Sequence, residues 1–148
     1  MTDRKAPPTQ RTPMHLWLVG GLGLLFNSVG VFDFLMTQTR NASYMSRLNA
    51  EQIAVLLALP PWLVVCWALA VWGGAVGALL LLVRNRLAVP VLMASLIAMT
   101  ATALHNLLSP NGLYETAGTN VGFMLVIFTL ALGLWLYARG MGRRGALA

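Results

Sequence analysis

Four long apolar runs, parted by short polar stretches, dominate the chain. Leu16–Met36 holds one charge, Asp33, and Trp62–Val83 holds none. Leu87–Leu108 has His105 as its one titratable group, and Thr119–Ala138 is again uncharged. Each run is 20 to 22 residues long, and a helix of that length covers the roughly 30 Å of a bilayer's hydrocarbon core. Backbone groups in lipid have to be paired within their own segment, so these runs predict helices rather than open strands. The expected fold is an all-α membrane protein: a four-transmembrane-helix bundle forming one domain over 15–138, between a tail at 1–14 and a basic tail at 139–148.

The connections differ in length and kind. Arg84-Asn85-Arg86 is short enough to make runs two and three a tight antiparallel hairpin. Pro110-Asn111-Gly112 is a turn signal between runs three and four. The first connection, Thr37 to Pro61, is much longer. In it Asn49-Ala-Glu-Gln52 reads as a helix-capping box ahead of Ile53, Leu56 and Leu57, and Pro60-Pro61 end that helix. A short helix lying in the membrane interface is predicted there. Ser28-Val29-Gly30 resembles a signal-peptide cleavage site, but apolar character resumes past Asn27 and completes a span.

Composition agrees with this picture. Of 148 residues 58% are hydrophobic and 9% charged, with a mean hydropathy of +0.73, far from the quarter charged of a soluble domain. The formal charge of +6 does not indicate nucleic acid, because the ten basic residues stand singly or in pairs at the ends of apolar runs. If all four runs cross, Arg4, Lys5, Arg11, Arg84, Arg86, Arg139, Arg143 and Arg144 share one side, against Arg40 and Arg47 on the other. That asymmetry predicts cytoplasmic termini. With the richness in Arg, Ala, Gly and Leu, it points to the inner membrane of a bacterium, with the first loop periplasmic. The expected partners are the lipid bilayer and a second copy or a larger membrane complex.

Small residues at helical spacing mark the expected contact faces, since close approach replaces hydrophobic drive in lipid. They are Gly23, Asn27, Gly30 and Thr37 in the first run, and Cys66, Ala70, Gly73 or Gly74, and Gly77 in the second. Ser95, Thr102 and His105 mark the third, then Gly122, Thr129 and Gly133 the fourth.

Candidate chemistry is sparse. Asp33 lies near the outer end of its span, where a carboxylate is costly and marks an ion or substrate route or a structural pair. Thr37 and Arg40 lie further on along a similar helical face, and a salt bridge to Arg40 or Arg47 is the structural alternative. His105 falls at the outer end of the third span, at the depth expected for Asp33. If those helices are neighbours, the carboxylate would hold the imidazole and raise its pKa. Asn106 and Asn120 would extend that polar cluster, and Asn27 would carry it inward; a His105 satisfied by Thr102 or a backbone carbonyl is the competing reading. Catalytic motifs, paired-cysteine motifs and metal-ligand spacings are missing, and His15 lies too far from His105 to share a haem. The function class expected is therefore non-enzymatic: an outer-leaflet cluster for a small ligand, a proton or a partner subunit, with no cofactor or metal. An oligomeric small-solute transporter is the alternative.

The stretch Phe26-Asn27-x-x-Gly30-x-x-Asp33-Phe34-x-Met36-Thr37-Gln38-Thr39-Arg40-Asn41-x-x-Tyr44-Met45, with Trp67 and Val71-Trp72-Gly73-Gly74 after it, resembles a family of small bacterial four-span inner-membrane proteins of undefined role. Some of its members carry a sugar-transporter label. The likeness covers the first half to two-thirds of the chain. It implies a four-helix membrane fold, and, on the members that carry the label, a hydroxyl-rich ligand held by Asn27, Asp33, Thr37, Gln38, Arg40 and Asn41. The four-span plan is also similar to that of the DoxX-like proteins, in architecture alone.

Overall fold

The computed structural model describes residues 14–109 and 121–147. Six helices form there: α1 (Met14–Gln38), α2 (Ala42–Met45), α3 (Ala50–Leu57), α4 (Pro61–Leu82), α5 (Ala88–Leu108) and α6 (Val121–Arg143). The four long ones have 25, 22, 21 and 23 residues and are long and apolar enough to cross a membrane. Their outward faces carry Leu25, Val65, Leu69, Ile97, Leu107 and Leu125, all more than half exposed. In water such a girdle would drive aggregation, whereas acyl chains match it. This is the build of a multi-pass membrane protein.

Helices α1 and α5 do not pack along each other; α4 lies between them and α6 packs on α5. Neighbours run antiparallel, because their close approaches advance in opposite directions along the two helices. Along α1 and α4 these are Gly20 with Leu82, Gly30 with Val71, and Phe34 with Trp67. Along α4 and α5 they are Gly77 with Leu92, Gly73 with Ser95, and Trp62 with His105. Here glycine allows the approach: a Cβ on Gly77 would stand 2.5 Å from Leu92 Cδ2. The Ser95 hydroxyl donates to the Ala70 carbonyl at 2.6 Å, tying α5 to α4. The small-residue faces expected on α1, α4 and the inner part of α5 are thus contact faces. On α6 the outcome differs. Gly122, Thr129 and Gly133 are exposed, and a Cβ at Gly133 would touch nothing.

The hydrophobic core is concentrated at one end, where α1 starts and α6 finishes, called here the terminal end. Leu16, Ala78, Leu81, Ala88, Leu92, Leu134, Ala138 and Met141 converge there. They are joined by Ala146 and Leu147, which the sequence places in a basic tail. That tail is instead a continuation of α6 to Arg143 and then a hook. Gly145, at φ +70, takes the left-handed conformation that a side chain resists. The Ala146 N–H then reaches back to the Met141 carbonyl at 3.0 Å and the Gly145 N–H to Gly142 at 3.2 Å, the paired bonds of a Schellman cap. Leu147 ends only 1% exposed.

The predicted turns have clear causes. Asn49 caps α3 in a complete capping box with Gln52, and the helix stops at Leu57, ahead of Pro60 and Pro61. The hairpin between α4 and α5 turns on Arg84, at φ +60, with the Asn85 N–H bonded to the Leu80 carbonyl at 2.8 Å. The turn expected at Pro110-Asn111-Gly112, and Asn120, lie outside the described residues.

Candidate functional site

At the opposite end, which carries the long loop, α1 reverses direction through Arg40. Its φ of 50 is left-handed, and the Asn41 N–H bonds back to the Met36 carbonyl at 3.1 Å. Asn41 then caps the single turn α2, its side chain accepting from the Tyr44 N–H at 3.1 Å. These local bonds fold Tyr44 back over the last turns of α1, where its hydroxyl donates to Asp33 Oδ1. The Tyr44 ring meets Phe32 edge-on at 6.3 Å. The phenol is pushed up from 10.0 to about 12, first by its hydrogen bond to the Asp33 carboxylate, then by burial and by the carboxylate's charge, with Arg47 pulling the other way.

Asp33 therefore has a different partner from any of the three expected of it. Among the described residues no ion pair joins it to Arg40 or Arg47, and Tyr44 takes the place the sequence offered to an arginine or to His105. Arg40 is exposed, and its role in the backbone is the reversal. One turn beyond Asp33, Thr37 is only 7% exposed, yet its hydroxyl has no hydrogen bond among the described residues and is not fully enclosed. Next to Asp33 along α1, Phe34 meets Trp67 of α4 edge-on at 5.1 Å.

Asn27 belongs to the packing. Its Nδ2 donates to the Gly23 carbonyl at 2.7 Å, and its amide oxygen fills the space a Cβ on Gly74 would occupy.

His105 sits across α4 from Asp33. Its ring meets Trp62 edge-on at 5.1 Å, and Ser109 Oγ lies 3.4 Å from Nδ1; Thr102, offered with a backbone carbonyl as the alternative to Asp33, instead donates to the Ala98 carbonyl. By the helix registers above, Asp33 stands level with Ala68 and His105 with Trp62, roughly 9 Å nearer the loop end at the rise of an α-helix. Among the described residues no contact joins the two. Asn106, beside His105, is 8% exposed and has no side-chain hydrogen bond among the described residues. No group of three or more His, Cys, Asp or Glu able to hold a metal occurs among the described residues.

The residue that sequence reasoning missed is Tyr44. Asn41 three positions earlier, in the N-cap position of a potential turn, was the signal that could have found it. The chemistry assembled around Asp33 is a carboxylate acceptor, a phenol and, one turn further on, an open hydroxyl. No family, curated protein or solved structure matches this chain.

Proposed function

We propose that this chain is a non-enzymatic inner-membrane protein that binds a small hydroxyl-rich solute at Asp33, Tyr44 and Thr37. The observation that carries the reading is the Tyr44–Asp33 hydrogen bond beside the open hydroxyl of buried Thr37. An intramembrane carboxylate held by a phenol, with acceptor capacity to spare, is suited to polyol hydroxyls, which both donate and accept. The resemblance to the four-span family favours the same ligand class. Arg84, Arg86, Arg139, Arg143 and Arg144 gather at the terminal end, opposite Arg40 and Arg47, which favours cytoplasmic termini and a periplasmic site. Transport through one copy is disfavoured. Asn27 is taken up by Gly23 and Gly74, and Ser95 by Ala70, so the polar path inward is already spent.

The test is thermal unfolding of the purified protein in mild detergent with glucose, sucrose and trehalose as probes. A saturable rise in Tm that is lost in Asp33→Asn and in Tyr44→Phe, with both variants accumulating in the membrane, is the expected result. No rise with any of the three sugars, or an Asp33→Asn variant that fails to accumulate, makes the pair a purely structural tie. Reporter fusions at both termini should be active in the cytoplasm.

A further inference from the structure

The terminal end, remote from Asp33, carries Arg84, Arg86, Arg139, Arg143 and Arg144 and none of the described carboxylates, since Asp33 and Glu51 both belong to the loop end. The hook gives part of this charge a fixed geometry. Arg84 Nε donates to the Ala146 carbonyl at 3.0 Å and Arg86 Nε to the Leu147 carbonyl at 3.1 Å. A guanidinium has five N–H donors in one plane. Holding Nε on a carbonyl sets that plane and leaves the terminal N–H groups of exposed Arg86 directed elsewhere. Gly142 lies against Val89, so the last turn of α6, with exposed Arg143 and Arg144, stands beside the α4–α5 turn that carries Arg86. On the flank of α6, Arg139 stacks over Trp135 at 5.3 Å, a pairing that keeps a guanidinium at the membrane–water interface. Val83, Leu87 and Leu136, each more than half exposed, border this rim on the hydrocarbon side.

We infer that Arg86, Arg143 and Arg144 form a binding site for the phosphate of an anionic phospholipid, whose acyl chains lie along the apolar flank. A guanidinium binds phosphate oxygens in pairs, and at Arg86 its plane is already set by the Leu147 carbonyl. The bordering apolar surface selects a lipid over a soluble anion. The site shares no residue with the one around Asp33, so either can fail without the other.

Native mass spectrometry of the full chain in mild detergent tests this, with phosphatidylglycerol and phosphatidylethanolamine as probes and inorganic phosphate as the soluble competitor. The expected result is preferential retention of phosphatidylglycerol, insensitive to millimolar phosphate. In Arg143→Gln/Arg144→Gln, which leaves the Arg84 and Arg86 contacts of the hook in place, retention should fall about five-fold for each arginine removed. Arg86→Gln should lower it similarly; if that variant does not fold, the double variant decides. Equal retention of the two lipids, or unchanged retention in the double variant, overturns the site. Displacement by inorganic phosphate overturns the lipid as its occupant.

Discussion

At the terminal end, Leu16, Leu81, Leu92, Leu134, Met141 and Leu147 interlock, and α1 meets α6 through the His15–Tyr137 hydrogen bond and the approach of Gly23 to Leu134. At the loop end the contacts are polar and aromatic, between Tyr44 and Asp33 and between Trp62 and His105. The buried side chains there include Thr37 and Asn106 beside Leu63. Within lipid, burial of apolar groups yields no transfer gain, so stability comes from close packing and satisfied polar groups. The first end meets that demand with tight packing. The second leaves the buried Thr37 and Asn106 side chains without a hydrogen bond among the described residues, whereas at the first it is the enclosed Trp135 Nε1 that has none.

The largest expected effect comes from spoiling the tight end. Gly77→Leu drives a side chain into Leu92 and should destabilise the bundle by about 1 to 3 kcal/mol or more, read by SDS-induced unfolding in mixed micelles. Gly133→Leu, placed in open space on α6, should stay within about 0.5 kcal/mol of the parent. Equal effects of the two substitutions would mean that the approach of Gly77 to Leu92 does not set the balance.

Tyr44→Phe probes the polar end and should cost about 1 kcal/mol, with little effect on the core. It also carries a pH signature. The folded phenol titrates near 12 instead of 10.0, so the stability it contributes is whole below pH 10 and is lost as pH rises from there through about 12. The tyrosinate absorbance of the parent minus that of Tyr44→Phe should show this late titration. A phenol titrating at its ordinary pKa would remove the bond to Asp33 from the account.

The smallest effect is expected at Arg40. Its left-handed backbone favours glycine, so Arg40→Gly should be neutral or stabilising by up to about 1 kcal/mol, measured by the same unfolding. Clear destabilisation would show that the guanidinium, and not the turn, matters at this position.

Much of the scaffold was legible because apolar length and turn chemistry are local properties. The four spans, the Arg84–Arg86 hairpin and the Asn49–Gln52 box come from runs and spacings within single segments. Even the faces of α1 and α4 could be read from small residues every three or four positions. The same signal on α6 misled, since Gly122, Thr129 and Gly133 face outward. Spacing shows that a face is smooth, but not whether a neighbour stands there.

Pairing was the part that sequence could not supply. Asp33 and His105 each lie near the loop end of a span, as their positions imply, yet α4 stands between them and two separate aromatic partners take them up. Likewise, Ala146 and Leu147 look like the close of a basic tail until Gly145 turns them under the bundle. The sequence by itself determined the four long helices, the short helix after Asn49 and the turn at Arg84–Arg86, because each helix closes its own backbone hydrogen bonds. Tertiary structure alone decided which helices are neighbours and at what height, because those depend on side-chain contacts between segments far apart in the chain.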